Sequence, residues 1–214
     1  MPKVCVCLPT FNCGYKIIPT LKSLMSQSYK DYIVLVVDSS LNDETKEAIE
    51  KEFRSGVIKY IKCGNNRGMT RNWNRALKYA ISENTDYISF YHDDDIYYPD
   101  ILQEESAFLD KYQNVGFVYA AAKYLNVENN LFSIKQPYRE DKVFTLLQFL
   151  MQICKKQNYH ITTPSVMARK EAFIKAGFFD DDFKLCPDLD LWWRMLEYYL
   201  SLIHISEPTR PLYI

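Results

Sequence analysis

Residues 87–99 read YISFYHDDDIYYP, and this stretch decides the fold. Tyr87–Tyr91 is a short apolar run that predicts a buried strand, and three adjacent carboxylates follow it almost at once. Pro99 suits the first turn of a helix, which we expect to run to about Tyr112. A strand, an acidic loop and a helix in this order predict one unit of a parallel sheet, with polar groups at the strand's carboxyl end.

The same alternation of strand and helix continues on both sides of this stretch. Apolar runs predict further strands at Lys3–Leu8, Tyr32–Val37, Val57–Ile61 and Val115–Ala121. Apolar residues at helical spacing predict helices over Tyr15–Gln27, Asp43–Phe53 and Met69–Ile81. About 120 residues with this rhythm predict an α/β fold with a Rossmann-like, mostly parallel central sheet flanked by helices.

The rhythm changes after Ala122. We expect a hairpin from Tyr124–Val127 and Leu131–Ile134, then a helix over Phe144–Cys154. An extended Thr162–Ala168 and helices starting near Lys170 and Asp188 follow. This half therefore reads as a smaller mixed layer built onto the first sheet.

Composition limits the classes of function. The 214 residues carry 26 basic and 27 acidic side chains, a net charge of −1, which argues against nucleic acid as the main partner. No run of apolar residues is long enough for a membrane span, and no signal peptide is expected. The six cysteines form no CxxC pair, so a reduced, cytoplasmic protein is predicted, free or peripheral at the inner face of the plasma membrane.

The C-terminal residues 200–214, LSLIHISEPTRPLYI, break the preceding helical pattern. This string resembles the translation of a sequencing adapter joined to a gene fragment. We therefore interpret 200–214 as a non-native tail and expect it to contribute almost nothing to the fold. A genuine extended tail containing Pro208 and Pro211 is the alternative.

Polar clusters end three of the predicted strands, at 9–12, 38–40 and 92–95, and the loop 63–68 follows a fourth. The carboxyl ends of parallel strands share one edge, so these clusters should line one crevice. Adjacent carboxylates repel one another unless a cation compensates them, and hard oxygen ligands suit Mg²⁺ or Mn²⁺ bound to a diphosphate. A solvated turn before the helix is the simpler alternative.

The helix starting near Met69 should offer its amino end to the same crevice. Arg67, Arg71 and Arg75 lie at or near that end, and guanidinium groups there would attract a diphosphate. For Arg71 and Arg75, plain exposure to solvent on the helix surface is the alternative. The chain lacks a GxGxxG after its first strand, a P-loop and a nucleophile elbow. Nicotinamide enzymes, P-loop NTPases and hydrolases of that type are therefore disfavoured.

Five segments together resemble the family 2 glycosyltransferases of the GT-A fold: VCVCLPTFN (4–12), VLVVDSS (34–40), NNRGMTRNWNRAL (65–77), ISFYHDDDIYYPD (88–100) and DLDLWWR (188–194). The resemblance covers nearly all of 3–199 in the family's order. It implies a domain over 1–199, with a nucleotide-sugar-binding half at 1–122 and an incomplete acceptor-side half at 123–199. It also implies inverting, metal-dependent transfer of a sugar from a UDP- or dTDP-linked donor to a glycan or lipid-linked acceptor, in surface-polysaccharide assembly.

The resemblance also implies roles for single residues. The residues expected to bind the donor are Pro9, Thr10, Asn12, Asp38, Ser39, Arg71 and Asp93. Pro9 and Thr10 would lie beside the nucleobase of the donor, and Asp93 toward its ribose. Asp94 is the best metal ligand, supported by Asp95, for Mn²⁺ or Mg²⁺. Asp188 is the general base that takes the proton of the acceptor hydroxyl, although a helix N-cap is the simpler reading of that residue.

Two residues depart from the family pattern. Ser39 stands where the family has a second acid, and Pro187 replaces the Glu of its Glu-Asp pair. Because of these departures, a second interpretation stays open, in which the chain is a nucleotide-sugar-binding domain that does not catalyse transfer. A nucleotidyltransferase is a third reading, but 11–14, FNCG, lacks the glycine-rich basic loop expected after its first strand.

Overall fold

The computed structural model describes residues 2–54, 58–65, 68–126, 131–135, 141–156, 161–183 and 185–204. Its strands are β1 Val4–Thr10, β2 Tyr32–Asp38, β3 Ile58–Lys62, β4 Tyr87–Phe90, β5 Val115–Ala120, β6 Ala122–Asn126, β7 Leu131–Lys135, β8 Lys142–Phe144, β9 Val166–Arg169 and β10 Leu200–His204. Its α-helices are α1 Ile17–Met25, α2 Glu44–Glu52, α3 Met69–Ser82, α4 Ile101–Lys111, α5 Leu146–Lys156, α6 Lys170–Ala176 and α7 Pro187–Leu196.

Eight strands form one sheet in the order β3-β2-β1-β4-β9-β5-β10-β8. The first four are parallel, while β9 runs antiparallel between β4 and β5. The strands β6 and β7 form a separate antiparallel pair, as expected for the hairpin, whose turn at 127–130 lies outside the described residues. The predicted α/β fold with a central sheet and flanking helices is confirmed.

The strands alternate their side chains between two buried layers. On one face, Val4, Val6 and Leu8 of β1 pack with α1, α2 and α4. On the other face, Cys5 and Cys7 pack with α3, α6 and α7. Both faces are covered, which explains why β1 and β2 read as continuous apolar runs rather than alternating ones. Burial raises the pKa of the Cys5 thiol to about 12, as expected of an inert core thiol.

The ends of two elements matter for the site. The strand β1 continues through Thr10, two residues beyond the prediction, because Pro9 and Thr10 still pair with β2. The helix α7 has Cys186 as its N-cap and Pro187 at its first position, which places Asp188 in the first turn. The reading of Asp188 as the N-cap is therefore wrong, since proline takes the helix-starting position.

The expectation that 200–214 contribute almost nothing to the fold is wrong for Leu200–His204. These residues form β10, which pairs in parallel with β5 and antiparallel with β8, and Ser201 is fully buried. The cause is that an extended apolar segment after α7 can fill an open position between two strands, whatever its origin. The non-native origin of 200–214 stays a prediction, and 205–214 lie outside the described residues.

Within the part of the chain that the structure describes, no helix has the length and apolar character needed to cross a bilayer.

Candidate functional site

A cleft of about 290 Å³ opens at the carboxyl ends of β1 and β4, against the first turn of α3. Its walls are formed by Pro9, Thr10, Phe11, Met69, Asn72, Trp73 and Asp93. The structure thus brings together three residues of the predicted donor site, from two strands far apart in the sequence. The α3 residues and Phe11 were missed as wall residues, although the spacing 69, 72, 73 on one helical face was a usable signal.

The acidic loop after β4 gathers potential metal ligands. One ligand atom each of His92, Asp94 and Asp95 lies within 4.8 Å of the others. Burial, assisted by the charges of Asp94 and Asp93, raises the pKa of Asp95 to about 6. Burial likewise raises the pKa of Asp93 above its usual range, against a lowering by the nearby Thr10 hydroxyl. The loop therefore concentrates negative charge that water alone compensates poorly.

These residues fit a divalent cation. Burial lowers the pKa of His92 despite the neighbouring carboxylates, which keeps the imidazole neutral and able to act as a ligand. Its buried Nε2 has no hydrogen-bond partner among the described residues. An imidazole nitrogen and two carboxylates are a donor set that Mn²⁺ accepts, so the residues present fit such an ion.

The end of β2 is organised around a buried carboxylate. Asp38 is 0% exposed and accepts hydrogen bonds from the backbone N–H and hydroxyl of Ser40 and, at 2.6 Å, from the Tyr60 hydroxyl. Lys62 Nζ lies 3.9 Å from the same carboxylate. Asp38 therefore holds the turn after β2 from inside, and its direct contact with a donor stays a prediction.

The neighbouring loop after β1 is tied to that turn. Asn12 has a φ of 53°, and its backbone N–H donates to Ser40 Oγ at 2.7 Å. The Ser39 N–H donates to the Thr10 carbonyl at 3.0 Å. These bonds tie the loops that carry Asn12 and Ser39 together, and the contact of either residue with a donor stays a prediction. Ser39 is buried, and its hydroxyl accepts a long 3.4 Å bond from Arg75.

Arg71 does not line the cleft. Its Nε donates to Asp181 at 2.6 Å, and its side chain is 61% exposed. Arg75 instead donates to the Asn65 carbonyl at 3.0 Å, at the rim of the loop before α3. Arg67 lies outside the described residues. The role of Arg71 toward a diphosphate stays a prediction that would require this ion pair to open.

Asp188 lies near the acidic loop and is held by a hydrogen bond from the segment before β9. Thr163 Oγ1 donates to its Oδ2 at 2.5 Å, and Trp192 Nε1 donates to the same hydroxyl at 3.3 Å. The charge of Asp188 opposes part of the burial-driven lowering of the His92 pKa, which indicates that the two residues are near each other. Sequence reasoning missed Thr163, because nothing local connects a threonine with a carboxylate 25 residues later.

An aromatic cluster connects the cleft with the acidic loop and with the segment before α7. The Trp73 ring lies 5.7 Å from that of His92 and 5.2 Å from that of Phe179. The Asn74 amide donates to the Phe179 carbonyl at 2.8 Å and accepts from its N–H at 2.9 Å. The segment before α7 is thereby fixed to α3, and Asn74 is not among the residues that line the cleft.

The chain is similar to known proteins of one family. The family model described as "Glycosyl transferase family 2" matches residues 5–177. An uncharacterized glycosyltransferase of Rickettsia typhi is 27% identical over 204 residues, which cover 91% of this chain and 59% of that protein. The chain thus spans about three-fifths of the length of this relative.

Solved structures show the same fold. Residues 1–349 of S. aureus TarS superpose with a TM-score of 0.72 at 22% identity, covering 99% of this chain and 60% of that one. TarS was also solved with UDP and with UDP-GlcNAc. The mannosyltransferase PcManGT from Pyrobaculum calidifontis, in complex with GDP-Man and Mn²⁺, gives a TM-score of 0.68 at 18% identity, over 98% of this chain and 58% of that one.

Proposed function

This chain belongs to glycosyltransferase family 2 and has the GT-A fold, and on that premise we propose that it transfers a sugar from a nucleotide-diphosphate donor to a glycan or lipid-linked acceptor. The observation that carries the proposal is the proximity of the acidic loop to a separate carboxylate, that of Asp188, whose charge acts on the His92 imidazole of that loop. Sugar transfer needs two such groups, one for the leaving diphosphate and one for the acceptor proton.

The donor occupies the cleft between β1, β4 and α3 in this proposal. Pro9 and Thr10 form one wall of the cleft, beside the nucleobase, and Asp93 lies where the cleft meets the acidic loop. Trp73 and Asn72 add an apolar face and an amide on the opposite wall. A UDP- or dTDP-linked sugar is the expected donor, and the solved UDP complexes of TarS, a protein of the same fold, support the uridine alternative.

Asp94 and Asp95, with His92 beside them, would hold Mn²⁺ or Mg²⁺. When bound, that ion would supply Lewis-acid stabilisation of the leaving diphosphate. The chain's own contribution is to hold the three ligands together and to shield them. The Mn²⁺ complex of PcManGT supports a metal in this fold.

Asp188 acts as the base. Its carboxylate takes the proton of the acceptor hydroxyl while that oxygen forms a bond with the anomeric carbon. The bond from that carbon to the diphosphate breaks, and the diphosphate leaves with the electron pair. Attack from the face opposite the diphosphate inverts the anomeric configuration. Thr163 orients the carboxylate for this step through its 2.5 Å hydrogen bond.

Release of nucleoside diphosphate tests the proposal. UDP-, dTDP- and GDP-sugars would each be incubated with the protein, with Mn²⁺ or with EDTA, and the freed diphosphate would be quantified. We expect Mn²⁺-dependent release from at least one uridine or thymidine donor. Binding of donors without any release would favour a nucleotide-sugar-binding domain, and absence of both would contradict the proposal.

A role in surface-polysaccharide assembly, in the cytoplasm or at the inner membrane face, is the biological setting we propose.

A further inference from the structure

The acidic loop between β4 and α4 has no regular secondary structure. Among the described residues, the backbone of 91–100 bonds to regular elements only near its two ends, Tyr91 to β1 and Tyr98 and Asp100 to α4. Buried backbone groups between these ends need partners elsewhere in the protein. In this chain, one face of α1 and of the turn that ends it provides several of them.

Thr20 and Ser23 hold the two ends of the acidic segment. Thr20 Oγ1 donates to the Asp93 carbonyl at 2.9 Å. The Tyr97 N–H donates to Ser23 Oγ at 3.0 Å, while that hydroxyl donates its own proton to the Thr20 carbonyl at 2.7 Å. Asp94 and Asp95 lie between these two attachment points, so both hydroxyls limit where the two carboxylates can move.

Gln27 holds the rest of the loop. Its Nε2 donates to the Tyr98 carbonyl at 2.6 Å, and its Oε1 accepts from the Leu102 N–H at 3.3 Å. The Ser28 N–H adds a backbone bond to the Pro99 carbonyl at 2.7 Å. One side chain therefore links the end of the loop with the first turn of α4.

The positions 20, 23 and 27 follow helical spacing, and we name Thr20, Ser23 and Gln27 the polar stripe. Thr20 is 1% exposed and Gln27 is 0% exposed. The adjacent face of α1 is apolar and packs on the sheet through Ile17, Leu21 and Leu24. Polar side chains at such buried positions cost stability unless they are hydrogen-bonded, and here their bonds converge on one loop.

We infer that the polar stripe positions Asp94 and Asp95 for a divalent cation, which makes Thr20, Ser23 and Gln27 positioning residues of the metal site. This inference rests on the proposed function. Two adjacent carboxylates repel each other, so a loop held only by packing would let them separate when no cation is bound. Ligands held in place by outer partners bind metal more tightly, because less order has to be created on binding.

The test compares substitutions that remove hydrogen bonds of the polar stripe with substitutions that keep them. Thr20→Val removes the hydroxyl at nearly constant shape, whereas Thr20→Ser keeps it. Gln27→Met removes all three side-chain hydrogen bonds of Gln27, two of them to the loop and the start of α4 and one to the Ser23 carbonyl. It serves as the second variant if Thr20→Val fails to fold. Ser26→Ala is the matched control, because the exposed Ser26 hydroxyl bonds only within its own helix, to the Ser23 carbonyl.

Mn²⁺ binding in the presence of UDP would be measured by the electron paramagnetic resonance signal of free Mn²⁺. Thermal melting of the same samples without metal would be recorded in parallel. We expect Thr20→Val and Gln27→Met to weaken Mn²⁺ binding by roughly tenfold. Thr20→Ser and Ser26→Ala should stay within about twofold of the original chain.

Two results overturn the inference and are distinguishable. Unchanged Mn²⁺ affinity in Thr20→Val and Gln27→Met, even with lower melting temperatures, would show that the polar stripe only stabilises the fold. Absence of Mn²⁺ binding in the unaltered chain would overturn the metal site of the proposed function and this inference with it.

Discussion

Thr163 Oγ1 donates a 2.5 Å hydrogen bond to Oδ2 of Asp188, which joins the turn before β9 to the first turn of α7. The Trp192 indole N–H, one helical turn after Asp188, donates to the same hydroxyl at 3.3 Å. The hydroxyl thus connects a buried aromatic ring with the carboxylate. This arrangement fixes the orientation of the proposed base without relying on the glutamate that precedes it in the family pattern, where this chain has Pro187.

Asp188→Asn should abolish transfer while leaving the donor in place. Loss of a general base typically lowers the rate by about 10² to 10⁴, whereas donor affinity should change by less than about threefold. The rate of transfer and the binding of the donor would be measured on the same samples. Asp190→Asn is the control from the same helical turn, because Asp190 pairs with Arg194 at 2.6 Å. An equal loss of donor binding in Asp188→Asn would make Asp188 a structural residue.

Glu105 carries a pH-dependent cost to stability. It is 0% exposed, its Oε2 accepts a 2.8 Å bond from Tyr91, and burial raises its pKa well above the usual range. The folded state therefore keeps a proton that the unfolded state loses above a pH of about 4.3. Stability should fall as pH rises above that value, by up to about 1.4 kcal/mol per pH unit, until the folded group also ionises.

Glu105→Gln should remove this pH dependence of stability, because glutamine does not ionise. The variant's free energy of unfolding should exceed that of the original chain by an amount that grows as the pH rises from 5 to 7. Urea denaturation across this range would measure the difference. Glu104→Gln is the adjacent control, and the same pH dependence in both variants would contradict the assignment to Glu105.

Local patterns predicted those parts of the fold that depend on local physics. The apolar runs of β1 and β2 are buried on both faces, and the acidic loop follows β4 at the edge where ligands bind in such sheets. The sequence did not predict the direction of β9. Val166–Arg169 is a strand of only four residues that lies antiparallel between β4 and β5, and its local pattern does not distinguish this direction from a parallel one.

The site was predictable to the level of strand ends but not of individual contacts. The family resemblance implied a donor contact for Asp38, yet Tyr60 and Ser40 enclose its carboxylate. The pairing of Thr163 with Asp188 and that of Thr20 with Asp93 join segments 25 and 73 residues apart. Such contacts arise from tertiary packing, which a single sequence does not display.

Deletion of 200–214 should destabilise the protein, in contrast with the expectation from sequence. Removing β10 leaves β5 and β8 without their shared neighbour and exposes hydrogen-bonding edges on both. A loss of about 2 to 3 kcal/mol is expected, equivalent to a melting temperature lower by roughly 5 to 10 °C. Deletion of 205–214 alone is the control that isolates β10. A shift of less than about 2 °C for the longer deletion would show that β10 adds little.

Asn74 should contribute more to stability than Arg71, although both contact the segment before α7. Asn74→Ala removes two hydrogen bonds to Phe179, worth about 2 kcal/mol together, and should increase amide exchange across 177–183. Arg71→Ala removes an ion pair whose arginine is 61% exposed, for which less than about 1 kcal/mol is expected. Denaturation of both variants tests the ranking, and equal losses would refute it.

Calorimetry of UDP binding, with Mn²⁺ and with EDTA, tests the central claim that the acidic loop couples a divalent cation to a nucleotide diphosphate. In the unaltered chain, Mn²⁺ should strengthen UDP binding by at least roughly tenfold, because the ion neutralises both the carboxylates and the diphosphate. Asp94→Asn should remove that enhancement and leave the metal-free affinity unchanged. Equal UDP affinity with and without Mn²⁺ in the unaltered chain, or full enhancement in Asp94→Asn, would contradict the account.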